Sequence, residues 1–329
     1  MTTELIECVN VGLTPYFTSS PGIGKSAICA DVAKRGKLKL IDLRLAQCTP
    51  EDLQGFPMRE GNKAVFTPFS IFPLENDPIP QGYDGWMLLL DELSSANKQV
   101  QAAAYKLILD RQVGSFNLHP NCAIVAAGNK ITDKAVVTQM STALQSRLIH
   151  YELSVSVDDW IEWATKEDID HRIIGYIHFS GKLMDFNPDH NDKTFACPRT
   201  WEFLNRLIKD KPINNSIGSR IAGTIGSGIS VEFITFAQEY SKLPKFIDII
   251  EKPDSVEVPK EASTKYAIVT MLINKAESDN LSKLLIYLKK FPIEMQIIFC
   301  RAIIIKAPEL RNTNKQFSAY LFDMLDYLS

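Results

Sequence analysis

No apolar run in the 329-residue sequence approaches the ~20 residues that a bilayer span requires; Trp86–Leu90 and Ile303–Ile305 are among the longest. No apolar signal core follows the acidic start Met1-Thr-Thr-Glu-Leu-Ile-Glu, so the sequence predicts a cytoplasmic protein. Its cysteines, at positions 8, 29, 48, 122, 197 and 300, form no CxxC pair and read as reduced, mostly buried small hydrophobes. The histidines at 119, 150, 171, 178 and 190 lack zinc-type spacing. Asp189-His190-Asn191-Asp192 lacks the glycine and bidentate glutamate of a calcium loop. Charge of one sign is also missing: 36 Lys and Arg against 39 Asp and Glu leave a formal net charge of −3. That balance argues against a polybasic coat for nucleic acid or a membrane surface, though not against a local basic patch.

What remains is the composition of a soluble globular chain, 45% apolar and 23% charged. The length suits two or three domains. Up to about residue 155, strand-like runs at Thr14–Thr18, Lys39–Leu45, Gly85–Leu90, Ala123–Ala127 and Leu148–Leu153 alternate with helical periodicity. That alternation means crossover connections and a mostly parallel α/β sheet. Between Leu53 and Pro73 a Gly61-Asn62 turn between short extended segments predicts an inserted β-hairpin. A second excursion, Gln112–His119, follows a helical pattern over Asn97–Arg111.

Beyond residue 155 strand patterns nearly vanish. Val157–Lys166, Arg172–Met184, Pro198–Lys209 and a glycine-interrupted Ile217–Tyr240 read as helices. Glu251–Glu261, with Pro253 and Pro259 among charges, reads as a linker. Thr264–Lys275, Leu281–Lys290, Ile293–Ile305 and Gln316–Leu328 follow as helices. The expected division is 1–155, 156–252 and 261–329. Basic against acidic residues number 14 to 15 in 1–155, 13 to 17 in 156–260 and 9 to 7 in 261–329, so no part carries a strong field. The aromatics of 201–203 and 317–327 fall at helical spacing and predict core.

The strongest chemical signal is Ser19-Ser20-Pro21-Gly22-Ile23-Gly24-Lys25-Ser26, placed between a predicted strand and a predicted helix. It matches the phosphate-binding loop G-x-x-x-x-G-K-[ST] except that Ser19 stands at the first glycine. Such a loop, here Ser20 to Ala27, wraps its backbone N–H groups (all but Pro21, which has none) around phosphate oxygens at a helix N-terminus. Lys25 then reaches the β- and γ-phosphates, and the Ser26 hydroxyl ligates Mg²⁺. The second signal is Trp86-Met-Leu-Leu-Leu-Asp91-Glu92, an apolar strand ending in two carboxylates. Alone it could be a solvated turn. Paired with the loop, Asp91 holds Mg²⁺ and Glu92 polarises the attacking water. Asn129 closes the strand Ala123–Ala127, where its amide can orient that water. Arg147 precedes the last strand, at a position suited to a neighbouring subunit's γ-phosphate. Taken singly, a turn asparagine and a surface arginine are the stronger readings of these two.

This order of motifs resembles the AAA+ ATPase core, and within it the MoxR-like group. The finer resemblance lies in the inserted hairpin, the run Thr67-Pro68-Phe69-Ser70-Ile71-Phe72, the excursion Gln112–His119 and the segment Ala196-Cys-Pro-Arg199-Thr-Trp. It covers residues 1 to about 250. The resemblance implies a P-loop NTPase core with inserted β-hairpins, an all-helical lid and a hexameric ring that uses ATP and Mg²⁺. It makes Asn129 sensor 1, Arg147 the arginine finger and Arg199 sensor 2. It also implies remodelling of a protein partner, with a von Willebrand factor A-type protein as the associated class. Phe56, Met58 and Phe66 are candidates for partner contact, and anchoring of the hairpin on its own domain is the competing reading. A nucleic-acid motor or loader, using cations such as Lys63, and an ATP-gated scaffold with little turnover are the alternatives.

Overall fold

The computed structural model describes residues 2–133, 138–189, 192–213, 215–239 and 243–324. His190, Asn191, Tyr240 and residues 325–328 of the expected elements lie outside these. The chain divides into two compact units between Ser154 and Val155.

The first unit holds strands β1 (Thr14–Ser19), β2 (Leu38–Arg44), β3 (Phe56–Glu60), β4 (Lys63–Thr67), β5 (Gly85–Asp91), β6 (Gln112–Val113), β7 (Phe116–Asn117), β8 (Cys122–Asn129) and β9 (Leu148–Glu152). Five of them form one parallel sheet in the order β2-β5-β8-β1-β9. The helices are α1 (Thr2–Asn10), α2 (Lys25–Arg35), α3 (Pro50–Gln54), α4 (Lys98–Asp110) and α5 (Thr142–Gln145). β5 is buried along its whole length, and its alternate side chains serve two cores. Trp86, Leu88 and Leu90 join Val100, Ala104, Leu107 and Ile108 of α4 on one face. Met87 and Leu89 join Leu5 of α1 and Cys29, Val32 and Ala33 of α2 on the other. The result is a helix–sheet–helix sandwich.

The predicted hairpin is β3-β4, closed by the two residues Gly61 and Asn62 between Glu60 and Lys63. The second excursion is the short pair β6-β7. Helix α1 was not expected, because its acidic start hides the apolar pair Leu5 and Val9 one turn apart.

The second unit is helical among its described residues: α6 (Val157–Lys166), α7 (His171–Ser180), α8 (Pro198–Ile208), α9 (Gly218–Ile225), α10 (Ser227–Glu239), α11 (Phe246–Glu251), α12 (Ala262–Lys275), α13 (Leu281–Leu288), α14 (Ile293–Lys306), α15 (Leu310–Thr313) and α16 (Lys315–Asp323). The stretch expected as Ile217–Tyr240 is two helices, parted at Gly226 with φ 90°. The stretch expected as Arg172–Met184 stops at Gly181. Two apolar clusters fill this unit, and α12 belongs to both. Its Ala267 joins Ile173, Tyr176, Trp201 and Phe233, while its Ile268 and Leu272 join Leu284, Phe299 and Phe317. The pieces expected as 156–252 and 261–329 therefore share a wall of one helix. Trp201, Phe317 and Tyr320 are core as expected, but Phe203 and Phe322 are exposed. No described helix is long and apolar enough to cross a membrane.

Candidate functional site

β1 ends at Ser19, and the chain turns through Ser20, Pro21, Gly22, Ile23 and Gly24 into α2. Gly22 and Gly24 have φ of 81° and 98°, in the left-handed region where a Cβ is strained, so this loop needs glycine twice. The first bond of α2 runs from Ile28 N–H to Gly24 O at 2.9 Å. That leaves the N–H groups of Lys25, Ser26 and Ala27 outside the intrahelical ladder, at the positive end of the helix dipole. Such a frame suits an anion.

Five side chains meet over this loop. Lys25 Nζ donates to Ser19 Oγ at 2.9 Å and to Asn129 Oδ1 at 3.0 Å. Ser26 Oγ donates to Asp91 Oδ2 at 2.8 Å. Asp91 Oδ1 accepts the Glu92 N–H at 2.8 Å. The strand order explains the meeting. β8 lies between β1 and β5, so Asn129 ends opposite Ser19 while Leu90 runs beside Ala126. The C-terminal ends of three parallel strands thus deliver Lys25, Asn129 and Asp91 to one place, the usual mouth of an open α/β sheet. Ser19, which departs from the glycine of the loop pattern, is fully buried and supplies the hydroxyl that receives Lys25.

Glu92 is half-buried and left-handed, at φ 58° and ψ 30°. A non-glycine residue there costs about 1 kcal/mol. The turn presents Glu92 directly beyond Asp91. The Asp42 carboxyl on β2 is pushed up by burial and by the Asp91 charge, with Arg44 opposing. The Cys29 thiol is pushed up to about 12 by burial, then by Asp91 and Asp42. Cys29 is accordingly a neutral packing group beneath the site.

The Asn129 backbone is held by a residue that pattern reasoning missed. Asn129 N–H donates to Ser94 Oγ at 2.9 Å, and the Ser94 hydroxyl lies 3.3 Å from Asn129 O as its donor. Gly128 makes this approach feasible: a Cβ there would collide with the Tyr16 hydroxyl and stand 2.6 Å from Ser94 Oγ. Burial raises the Tyr16 hydroxyl, with its bond to Ser94 opposing. The signal for Ser94 in the sequence is only a serine within an otherwise buried turn.

Arg147 is exposed at the end of α5. Its Nη1 donates to Ala143 O at 2.7 Å and Ser146 Oγ at 3.0 Å, and its guanidinium lies 4.9 Å from the Tyr105 ring centroid. Arg199, in the second unit, is exposed on the first turn of α8 behind Pro198. The structure thus gathers Ser19, Lys25, Ser26, Asp91, Glu92 and Asn129, and sets Arg147 on its own surface of the first unit.

A strand–loop–helix with two left-handed glycines, and the Asn129-ended strand β8 placed between β1 and β5, decides the fold. It is a parallel α/β fold of the P-loop NTPase kind. No family model matches the chain, and no curated protein does. Solved structures similar to it include a candidate ATPase from Cytophaga hutchinsonii, at 14% identity over 100% of this chain and 88% of that one, TM-score 0.38. A point mutant of Thermotoga maritima RuvB shares 17% identity over 86% and 84%, TM-score 0.40. Brucella abortus NtrX in complex with ATP shares 12% identity over 98% and 67%, TM-score 0.34. The P-loop fold is carried by the strand order and the loop rather than by these distant overlaps.

Proposed function

We propose that the chain binds ATP with Mg²⁺ and hydrolyses it, as a remodelling ATPase of the MoxR-like AAA+ kind. The observation that carries the proposal is the convergence of Lys25, Ser26, Asp91 and Asn129 through bonds of 2.8–3.0 Å. Backbone N–H groups of the loop and Lys25 hold the β- and γ-phosphates. The oxygen donors Ser26 and Asp91 suit a hard cation. Bound there, Mg²⁺ neutralises charge on the phosphate oxygens. Glu92 accepts a proton from the attacking water, and the Asn129 amide orients that water.

Arg147 acts on the γ-phosphate of the next subunit in a hexameric ring, and Arg199 senses nucleotide from the lid. The exposure of Arg147 and its pairing with nearby backbone support a role towards another copy. The exposed apolar hairpin residues Phe56, Met58 and Phe66 support contact with a protein partner, of von Willebrand factor A type. Near-neutral charge in every part of the chain supports protein over nucleic acid as the substrate.

The test is steady-state ATP turnover by the wild type and Lys25→Ala, alone and with each class of partner. Turnover that Lys25→Ala abolishes and a von Willebrand factor A-type protein stimulates supports the reading. Stimulation by single-stranded DNA instead, falling steeply with salt, favours the motor.

A further inference from the structure

The first unit contains a buried polar side chain that the proposed chemistry does not use. Gln101, on α4, is only 5% exposed. Its Nε2 donates towards Leu93 O at 3.2 Å, Ala96 O at 3.3 Å and Thr138 O at 3.1 Å. Two N–H hydrogens are thus shared among three carbonyls. The first two carbonyls belong to the turn that follows Glu92. The third belongs to the segment that leads through α5 to Arg147. Thr138 is clasped from its other side as well, because its N–H donates to Ser94 O at 2.7 Å. One helical turn beyond Gln101 on the same face of α4 stands Tyr105, the ring against which Arg147 rests.

We propose that Gln101 and Tyr105 are positioning residues for Arg147, joining the turn of Glu92 to the segment that presents the arginine to a neighbouring subunit. This deepens, and rests on, the proposed trans action of Arg147. A buried amide costs desolvation unless all its partners are in place. A shift of the Glu92 turn therefore draws on Thr138 through the same nitrogen, and through it on the short chain to Arg147. Tyr105 then fixes where the guanidinium rests.

The experiment is a mixture of two inactive subunits. Lys25→Ala lacks the phosphate-binding lysine but carries Arg147; Arg147→Ala lacks the arginine but carries an intact loop. Their mixture restores turnover if Arg147 acts in trans. Gln101→Met, similar in volume and without donors, is then placed in the Lys25→Ala subunit. The expected result is a fall in kcat of roughly 10²-fold, from a misplaced guanidinium, with KM for ATP unchanged. Tyr105→Leu in the same subunit is the second variant, should Gln101→Met not fold, and is expected to lower kcat in the same direction.

Failure of the control mixture to restore turnover overturns the trans reading and the positioning role with it. Restored turnover that both variants leave intact overturns the positioning role alone. Loss confined to placement in the Arg147→Ala subunit also overturns it, by showing that Gln101 serves its own Glu92 turn.

Discussion

Lys25 reaches across from the loop to bond the Asn129 side-chain oxygen at 3.0 Å, which ties the loop to the end of β8. Under the proposed function, a bound γ-phosphate draws that ammonium away and frees the Asn129 amide to orient water. Asn129→Ala is expected to lower kcat by roughly 10²-fold, the scale of one oriented polar group acting in a transition state. KM for ATP changes little. Steady-state kinetics check the split; a rise in KM with normal kcat would assign Asn129 to binding instead.

Gly128→Ala tests how closely the site is built. The added Cβ meets the Tyr16 and Ser94 hydroxyls far inside contact distance, and overpacking of this kind costs about 1–3 kcal/mol. Thermal unfolding is expected to show a lower midpoint. Turnover is expected to fall as well, because Ser94 would be displaced from Asn129. A variant with native stability and turnover would contradict the close approach.

The second unit has its own polar anchor. The Asp170 carboxylate is 3% exposed and is forked by Arg172, whose guanidinium also donates to Ile208 O and Lys211 O. Burial alone would raise the Asp170 carboxyl, but Arg172 outweighs it and holds it below the usual range. Arg172→Ala leaves a buried carboxylate without its partner, so it is expected to destabilise by about 3–5 kcal/mol. Denaturant unfolding measures this, and a loss below 1 kcal/mol (roughly the value of an exposed pair) would refute the burial of the pair.

Acid sensitivity has an identifiable source in His178. Burial, against the Tyr266 ring at 6.3 Å, lowers its pKa from 6.5 to about 4, with Asp158 opposing. The unfolded chain therefore binds the extra proton between those values. Stability from this group is complete above pH 6.5 and is lost as pH falls towards 4, by up to about 3 kcal/mol. His178→Gln is expected to flatten the difference in unfolding free energy between pH 7 and pH 4.5. An unchanged slope would show that another group carries it.

The sheet and the loop were legible because each rests on local signals. Apolar runs ending in Asp91-Glu92 or Asn129 need burial on both faces, and Gly22 and Gly24 mark backbone that other residues strain to adopt. The β3-β4 hairpin was legible from its turn. Less legible were features fixed by distant partners. Whether Ser19 weakens the loop could not be read until its hydroxyl was seen against Lys25. Ser94 and Gln101 look like ordinary polar residues, although Gln101 interrupts the apolar stripe of α4, which was the available clue. The shared role of α12 was hidden because its residues 267 to 272 are apolar on almost every side, so periodicity names no single face.

ATP binding by one cluster at the ends of β1, β5 and β8, with Glu92 activating the water, is tested by Glu92→Gln through bound nucleotide and turnover in the same sample. ATP is expected to stay unhydrolysed on the variant at wild-type affinity, with turnover reduced by roughly 10²-fold or more, if this cluster is the site. Turnover equal to the wild type, or ATP binding that survives Lys25→Ala undiminished, would contradict it.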